Sequence, residues 1–441
     1  MNQQPDRPAP NTGYGWLIVA MMFLFMMINF ADKAVLGLAA GPIIKELHLT
    51  YTQFGQVGSA FFLLFSASAA LVGFVANRWP TKYVLAVMGL IWALTQLPML
   101  GAMSLSVLVA SRIVLGAGEG PAYPVALHAV YKWFTNERRT LPTSLVAVGA
   151  AVGAGITAPL LTWIILTFGW RAAFVCLGVA GFVWVGVWMF VGREGPLETA
   201  EFEPSGAPAG SLPYTLLLTS RTAIGVTLSA FAEYWVVVLA IVWLPSFLTK
   251  AAGYTPTETG WIVLLPTALL VLLLPATGYL SQVLRTRGAS SRTARGVLAG
   301  GSVTVAGIAL MLLSQSTAPS VQIPLVVVAF SVGGVTNILG PPALGEISPV
   351  HQRGAVLGIS NAVFTLAGFV APWVMGKIVD IGVDPAAGFR NGFLFGGALV
   401  AAGGLIAAAL IHPERDLVRF ARRTHRTEVA TIAVSGGEKA W

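Results

Sequence analysis

The stretch GWRAAF at residues 169–174 returns as GFRNGF at residues 388–393. Three further landmarks return in the same order and at nearly the same offset. ERRTLPTS, around Arg139, is answered by HQRGAVLG, around Arg353. Pro159 is answered by Pro372, and GAGEGPAYP with Pro124 by GGVTNILGPP with Pro341. Self-similarity at one long period means a single structural unit used twice.

Hydropathy says what that unit is made of. Hydrophobic residues are 56% and charged residues only 10% of the 441, where soluble proteins carry about 25% charged. Twelve apolar stretches can be marked: 16–42, 54–77, 82–104, 107–130, 142–167, 170–192, 219–249, 259–284, 296–315, 321–345, 354–379 and 390–411. A stretch of about 20 such residues crosses a hydrocarbon core as a helix. The expected fold is therefore an all-α polytopic membrane protein, twelve transmembrane helices in two pseudo-symmetric six-helix halves. Its divisions are an N-terminal tail over 1–15, a first half over 16–192, a linker over 193–218, a second half over 219–412 and a C-terminal tail over 413–441. The linker is rich in Pro, Gly, Ala and Glu, which suits a connection rather than a packed element.

An even number of spans puts both termini on one side. With that side assigned to the cytoplasm, nineteen Lys and Arg fall in inner segments, five in outer loops and two within helices. This is the asymmetry of the positive-inside rule. It explains the net charge of +8 as an orientation signal, helped by anionic lipid, and removes the case for a nucleic-acid partner. The first apolar run follows the polar start MNQQPDRPAPNTGYG and is too long for a signal-peptide core, so it is expected to remain as a membrane anchor. The single cysteine, Cys176, excludes an internal disulfide and a cysteine zinc site. Lying in an apolar segment, it is expected to be an inert core thiol. No metal and no cofactor is expected.

Two six-helix halves joined by a linker are the plan of alternating-access transporters, whose sites lie near the bilayer midplane. Few ionisable side chains interrupt the spans: Asp32 and Lys33 in the first, Arg112 and Glu119 in the fourth, Glu233 in the seventh. A central charge costs roughly 2.5–3.5 kcal/mol to insert, so such groups pair or face a wet cavity. Arg112 and Glu119 are two turns apart on one helix face, about 10 Å in rise. Two acids and two bases thus balance in the first half, with Lys33 expected to be held partly by Asp32 and Glu119 until a substrate carboxylate competes, whereas Glu233 has no base near it in its own helix. A buried polar clamp between helices is the structural alternative for this set.

NFADKAVLGLA, ASRIVLGAGEGPAYP, WFTNERRT and FGWRAAF, with WLPSFL at 243–248 and Asn361, together resemble the anion:cation symporter family of the major facilitator superfamily, over nearly the whole chain. The superfamily's loop between helices two and three is matched by Gly73, Asn77, Arg78 and Lys82, with Asn77 in place of the acid and Pro80 in place of a glycine. Lys33 stands where the family more often has arginine. It keeps the charge without the bidentate fork.

The resemblance implies roles. Lys33 would attract an anionic substrate. Glu119 would carry the proton, with Arg112 as its partner and as a substrate contact. Asp32 would be a second titrating acid; Glu233 is a third candidate on its own account, as an intramembrane acid with no base near it in its helix. Asn361 would bind substrate hydroxyls or carboxylate from the second half, with Tyr234 and Trp235 as aromatic walls. Gly73, Asn77, Arg78 and Lys82 would form a gating loop. The function so implied is uptake of a small organic anion, such as a sugar acid, aromatic acid or monocarboxylate, with protons. It would be carried out by a monomer in the cytoplasmic membrane, both termini inside, with lipid as the remaining partner.

Within the same fold, an anion exchanger would want a strong cation in both halves, and the seventh helix offers only Arg221 at its end. A drug/proton efflux pump fits poorly with Lys33 and Arg112. An intramembrane enzyme would need HExxH, GxSxG or a histidine–carboxylate cluster in the spans, and the sequence has none. A receptor or structural role leaves the repeat and the paired charges unexplained.

Overall fold

A computed structural model describes residues 12–65, 67–69, 79–101, 104–134, 140–196 and 212–422. Among these residues the regular structure is helical, without strands. Ten helices are long and apolar enough to cross a membrane: Gly13–Leu38, Thr81–Leu100, Leu145–Phe168, Trp170–Val191, Arg221–Val242, Pro256–Thr286, Arg292–Gln315, Pro319–Ile347, Ala355–Asp380 and Pro385–Leu410. They correspond to ten of the twelve expected spans, all but the second and fourth.

The two others fall short for identifiable reasons. The second begins at Tyr51–Leu63 and runs into residues outside those described. The fourth is interrupted, as Leu105–Glu119 followed by Ala122–Tyr131. Pro121 lacks the amide hydrogen that would continue the ladder and crowds the preceding turn. The break falls immediately after Glu119.

Caps set the helix starts. Thr50 with Gln53, and Thr255 with Glu258, form capping boxes at the second and eighth spans, each satisfying otherwise orphaned amides.

The halves touch at one end and diverge at the other. At the end where the first span finishes and the second begins, Trp243 Nε1 donates to the Pro372 carbonyl at 3.1 Å. The Tyr51 and Thr52 amides donate to Asp380 at 2.8 and 2.6 Å, so a carboxylate from one half caps a helix of the other, where the helix dipole favours it. Gly55 is required there: a Cβ would lie 2.3 Å from the Pro372 carbonyl oxygen. Toward the opposite end, Ala122–Tyr131, Thr336–Ile347 and Val350–Phe364 pack within their own halves. Among the described residues, the cleft between the halves therefore opens on the side where the first span begins.

At that open side each half is tied by a carboxylate that follows its sixth helix. Glu194 takes hydrogen bonds from Thr81 Oγ1 at 2.9 Å and from the Lys82 amide at 3.0 Å, and pairs with Lys132. Glu414, at the equivalent place in the second half, accepts from the Ser291 amide at the start of the ninth span and lies 3.7 Å from Arg285. Arg285 and Arg295 also reach Glu346, at 3.2 and 3.1 Å. Of the expected gating-loop residues, Gly73, Asn77 and Arg78 lie outside the described residues, and Lys82 meets Glu194 through its backbone.

Burial pushes the Glu194 carboxyl up, but the bonds from Lys132, the Lys82 amide and Thr81 outweigh it and hold it below the usual carboxylate range. A depressed folded value stabilises above the free carboxylate's range and is lost as pH falls through the folded value. Glu194→Gln is expected to lower Tm at neutral pH, by about 1 kcal/mol of stability or less, because water screens a side chain 36% exposed. The deficit should shrink on acidification. Melting curves that coincide with wild type at neutral pH would remove Glu194 from this role.

Cys176 corrects an expectation. It is exposed on the sixth span rather than in the core, because apolar character cannot distinguish a helix face turned to lipid from one turned inward.

Candidate functional site

The first span carries the centre of the site. Asn29 and Lys33 are four residues apart and so share a face, and Lys33 Nζ donates to Asn29 Oδ1. The ammonium lies 3.0 Å from Glu119 Oε2, with side-chain exposures of 8% and 0%. Three rings surround it, Phe30 at 4.2 Å, Phe61 at 5.7 Å and Phe65 at 5.6 Å. The rings present negative π-faces to a cation held away from water. The second span comes this close because the fourth has Gly116 opposite Phe61; a Cβ there would lie 1.7 Å from the Phe61 carbonyl oxygen.

Asp32, one residue before Lys33, projects about 100° away around the helix. It turns to the third span, where Gln96 Nε2 donates to Asp32 Oδ1 at 3.2 Å. Arg112 Nη1 donates to the Asp32 backbone carbonyl at 3.4 Å, and its guanidinium lies 5.2 Å from the centre of the Phe174 ring. Asp32, Arg112 and Glu119 are all buried.

Lys33 meets Glu119 as expected but not Asp32, which turns to Gln96, and the expected partnership of Arg112 with Glu119 is not formed as an ion pair. They share a face, but about 10 Å of rise separates them, and the ammonium on the neighbouring helix is closer. No carboxylate among the described residues comes within ion-pair distance of Arg112. Its Nε and Nη2 atoms make no hydrogen bond among those residues, and that edge of a guanidinium grips a carboxylate with two parallel bonds. Gln96 Oε1 is likewise without a hydrogen-bond partner, while the Asn29 side-chain amide lies toward the Glu119 carboxylate. The cluster thus holds both polar donors and acceptors that a ligand or water can satisfy.

The second half contributes neutral groups and one acid. Tyr234 is half-buried and meets Phe62 at 5.9 Å and Phe364 at 5.6 Å, both edge-on. Trp235 turns the other way, 6.3 Å from both Phe231 and Phe395, and packs inside its own half instead of forming a wall of the cleft. Glu233 is buried beside Asn337 of the tenth span. Asn361 is exposed on the eleventh span, and its carbonyl accepts from Thr365 Oγ1 at 2.9 Å. Thr227 and Ser360, and Ser229 and Thr336, link the seventh span to its neighbours at 2.8 and 2.9 Å.

Asn29, Gln96 and Asn337 escaped the sequence reading, which followed charges. A polar residue four positions from a buried lysine was the available signal for Asn29, while Gln96 and Asn337 had none. Among the described residues no group of three or more His, Cys, Asp or Glu is placed to hold a metal ion.

Comparison with known proteins places this arrangement among relatives. The family model described as Major Facilitator Superfamily matches residues 22–372 and 226–436. A hexuronate transporter of Bacillus subtilis (strain 168) is 26% identical over 418 residues, covering 92% of this chain and 94% of its own. A probable sulfoacetate transporter, SauU, of Cupriavidus necator is 29% identical over 412 residues, covering 90% and 94%. Among solved structures, a bacterial homologue of the human lysosomal transporter Spinster, inward-facing and occupied, superimposes with a TM-score of 0.76. It is 17% identical, with 91% of this chain and 98% of that one covered, and shows the shared fold.

Proposed function

The chain belongs to the Major Facilitator Superfamily of membrane transporters, and on that premise we propose that it takes up a small organic anion together with protons, by alternating access. The observation that carries the reading is the buried Lys33–Glu119 pair at 3.0 Å. A substrate carboxylate and the Glu119 carboxylate compete for one ammonium. Protonating Glu119 frees Lys33 for the anion, and anion binding in turn favours the proton on Glu119. Such linkage is necessarily reciprocal, and it is what a symporter requires. Arg112, with its free Nε and Nη2 edge, would take a second carboxylate oxygen or Asp32 when Lys33 changes partner. Asn361 and Tyr234 would meet the substrate from the other half and draw the halves together.

The relatives support an anionic cargo. Hexuronate and sulfoacetate share an acidic head and differ in the rest: a hydroxylated ring with one carboxylate against two acidic groups on two carbons.

The test is the pH dependence of binding. Affinity for an organic anion should rise as pH falls in the wild type, and the dependence should flatten in the Glu119→Gln, Asp32→Asn double variant. Binding that follows pH identically in both proteins would sink the linkage. On the same reading the chain lies in the cytoplasmic membrane with both termini inside, a view supported by nineteen inner against five outer basic residues. A reporter active only outside the membrane, fused after Trp441, should stay silent, and a strong signal would reverse the orientation.

A further inference from the structure

We propose that Glu233 is a specificity residue that limits the substrate to one acidic group, so that the cleft accepts a monoanion with a hydroxylated body and turns away diacids. The inference rests on the anion reading above and narrows it to a substrate class.

Charge is distributed unequally between the two walls. The first half places Lys33 and Arg112 in the middle of its spans. In the spans of the second half the basic residues stand toward the ends, Arg221, Arg285, Arg292, Arg295, Lys377 and Arg390. The one interior charge there is Glu233, 6% exposed. It faces the bend of the tenth span, where a Cβ on Gly333 would lie 3.6 Å from its Cγ and one on Gly334 3.9 Å from its Oε1. Asn337, the exposed residue of the next turn, lies against the carboxylate.

An aromatic strip connects this corner to Lys33. Phe61 and Phe65 flank the ammonium, Phe62 packs on both at 4.8 and 5.8 Å, and Tyr234 meets Phe62 from the other half. On this proposal an anion with its carboxylate on Lys33 would lie along this strip to Tyr234, with its far end near the neighbouring residue Glu233 and near Asn337.

None of those three is a cation. Hydroxyl groups suit them, since a hydroxyl both donates and accepts. A second carboxylate does not. It would meet the field of Glu233 in a low-dielectric setting, where charge is weakly screened, and it would find no base to replace its lost water. Protonating Glu233 removes the repulsion, so it narrows the discrimination, but it supplies no base to hold a second carboxylate tightly.

The experiment uses the purified full chain and three probes of equal carbon number: an aldonate, the corresponding aldarate, and the unsubstituted alkanoate. Wild type should bind the aldonate about tenfold or more tighter than the aldarate, as like-charge opposition across a site predicts, and tighter than the alkanoate. Glu233→Gln should pull the aldonate-to-aldarate ratio toward unity by improving aldarate binding relative to aldonate. Equal binding of aldonate and aldarate by wild type overturns the proposal, and this arm needs no variant to fold. An unchanged ratio in a variant that still binds aldonate also overturns it. Alkanoate binding as tight as aldonate removes the hydroxylated body and leaves the anion reading intact. Failure of all three probes to bind, at any pH, overturns this proposal, and the anion reading falls separately if no other organic anion binds in a Lys33-dependent way.

Discussion

Glu119→Gln is expected to abolish proton-driven accumulation while leaving anion exchange across the membrane. Glutamine imitates the protonated acid in shape and charge. It can no longer compete with a substrate carboxylate for the Lys33 ammonium, now 3.0 Å from Glu119. Binding should persist, and the rocking of the halves should persist with it. What is lost is the exchange of a proton for an ion pair, so the substrate should only equilibrate between the two sides. Vesicles loaded with unlabelled anion should therefore still take up labelled anion by counterflow, while vesicles given only a pH gradient should not concentrate it. Accumulation against a gradient in this variant would move the coupling acid elsewhere, with Asp32 the next group to test.

Lys33→Ala is expected to remove anion binding to below detection, with a second consequence that needs separating from it. Deleting one partner of a buried pair leaves the other charge uncompensated and costs about 3–5 kcal/mol. Glu119 would be that stranded charge, beside Phe61 and Phe65 rather than water. The single variant is thus also expected to melt earlier. Combining Lys33→Ala with Glu119→Gln should restore much of the stability without restoring binding, because no ammonium is present for the carboxylate. Lys33→Arg should keep part of the uptake, since the guanidinium retains the charge and adds a bidentate edge, although its bulk must fit among three rings. Normal uptake by the alanine variant would return Lys33 to a structural role.

Much of the architecture could be read along the chain. Spans, their number per half and the repeat follow from hydropathy and from landmarks such as Arg139 and Arg353, which are local properties of the chain in lipid. The break after Glu119 was not expected, since 107–130 reads as one apolar span, although Gly120 and Pro121 stand beside it. The five intramembrane charges could be picked out because each is costly in hydrocarbon.

Pairing was another matter. Which charge meets which depends on the rotation of each helix and on how closely neighbours approach. Adjacent residues differ by about 100°, so Asp32 and Lys33 separate toward different spans, one to Gln96 and the other to Glu119. Arg112 and Glu119 share a face, yet the contact between the fourth span's Gly116 and the backbone of Phe61 puts rings and the Lys33 ammonium at Glu119 first. Cys176 looked like core and faces outward, for hydropathy is the same on both sides of a helix in a membrane. Residue order and hydropathy were enough for a polytopic helical protein in two halves, and for the small set of charges it would have to pair. That Asp32 meets Gln96 rather than Lys33, that Arg112 stands outside the Glu119 pair, and that the closed end lies at Gly55 and Asp380 came from the packed molecule, because they arise from distances between helices that no single helix contains.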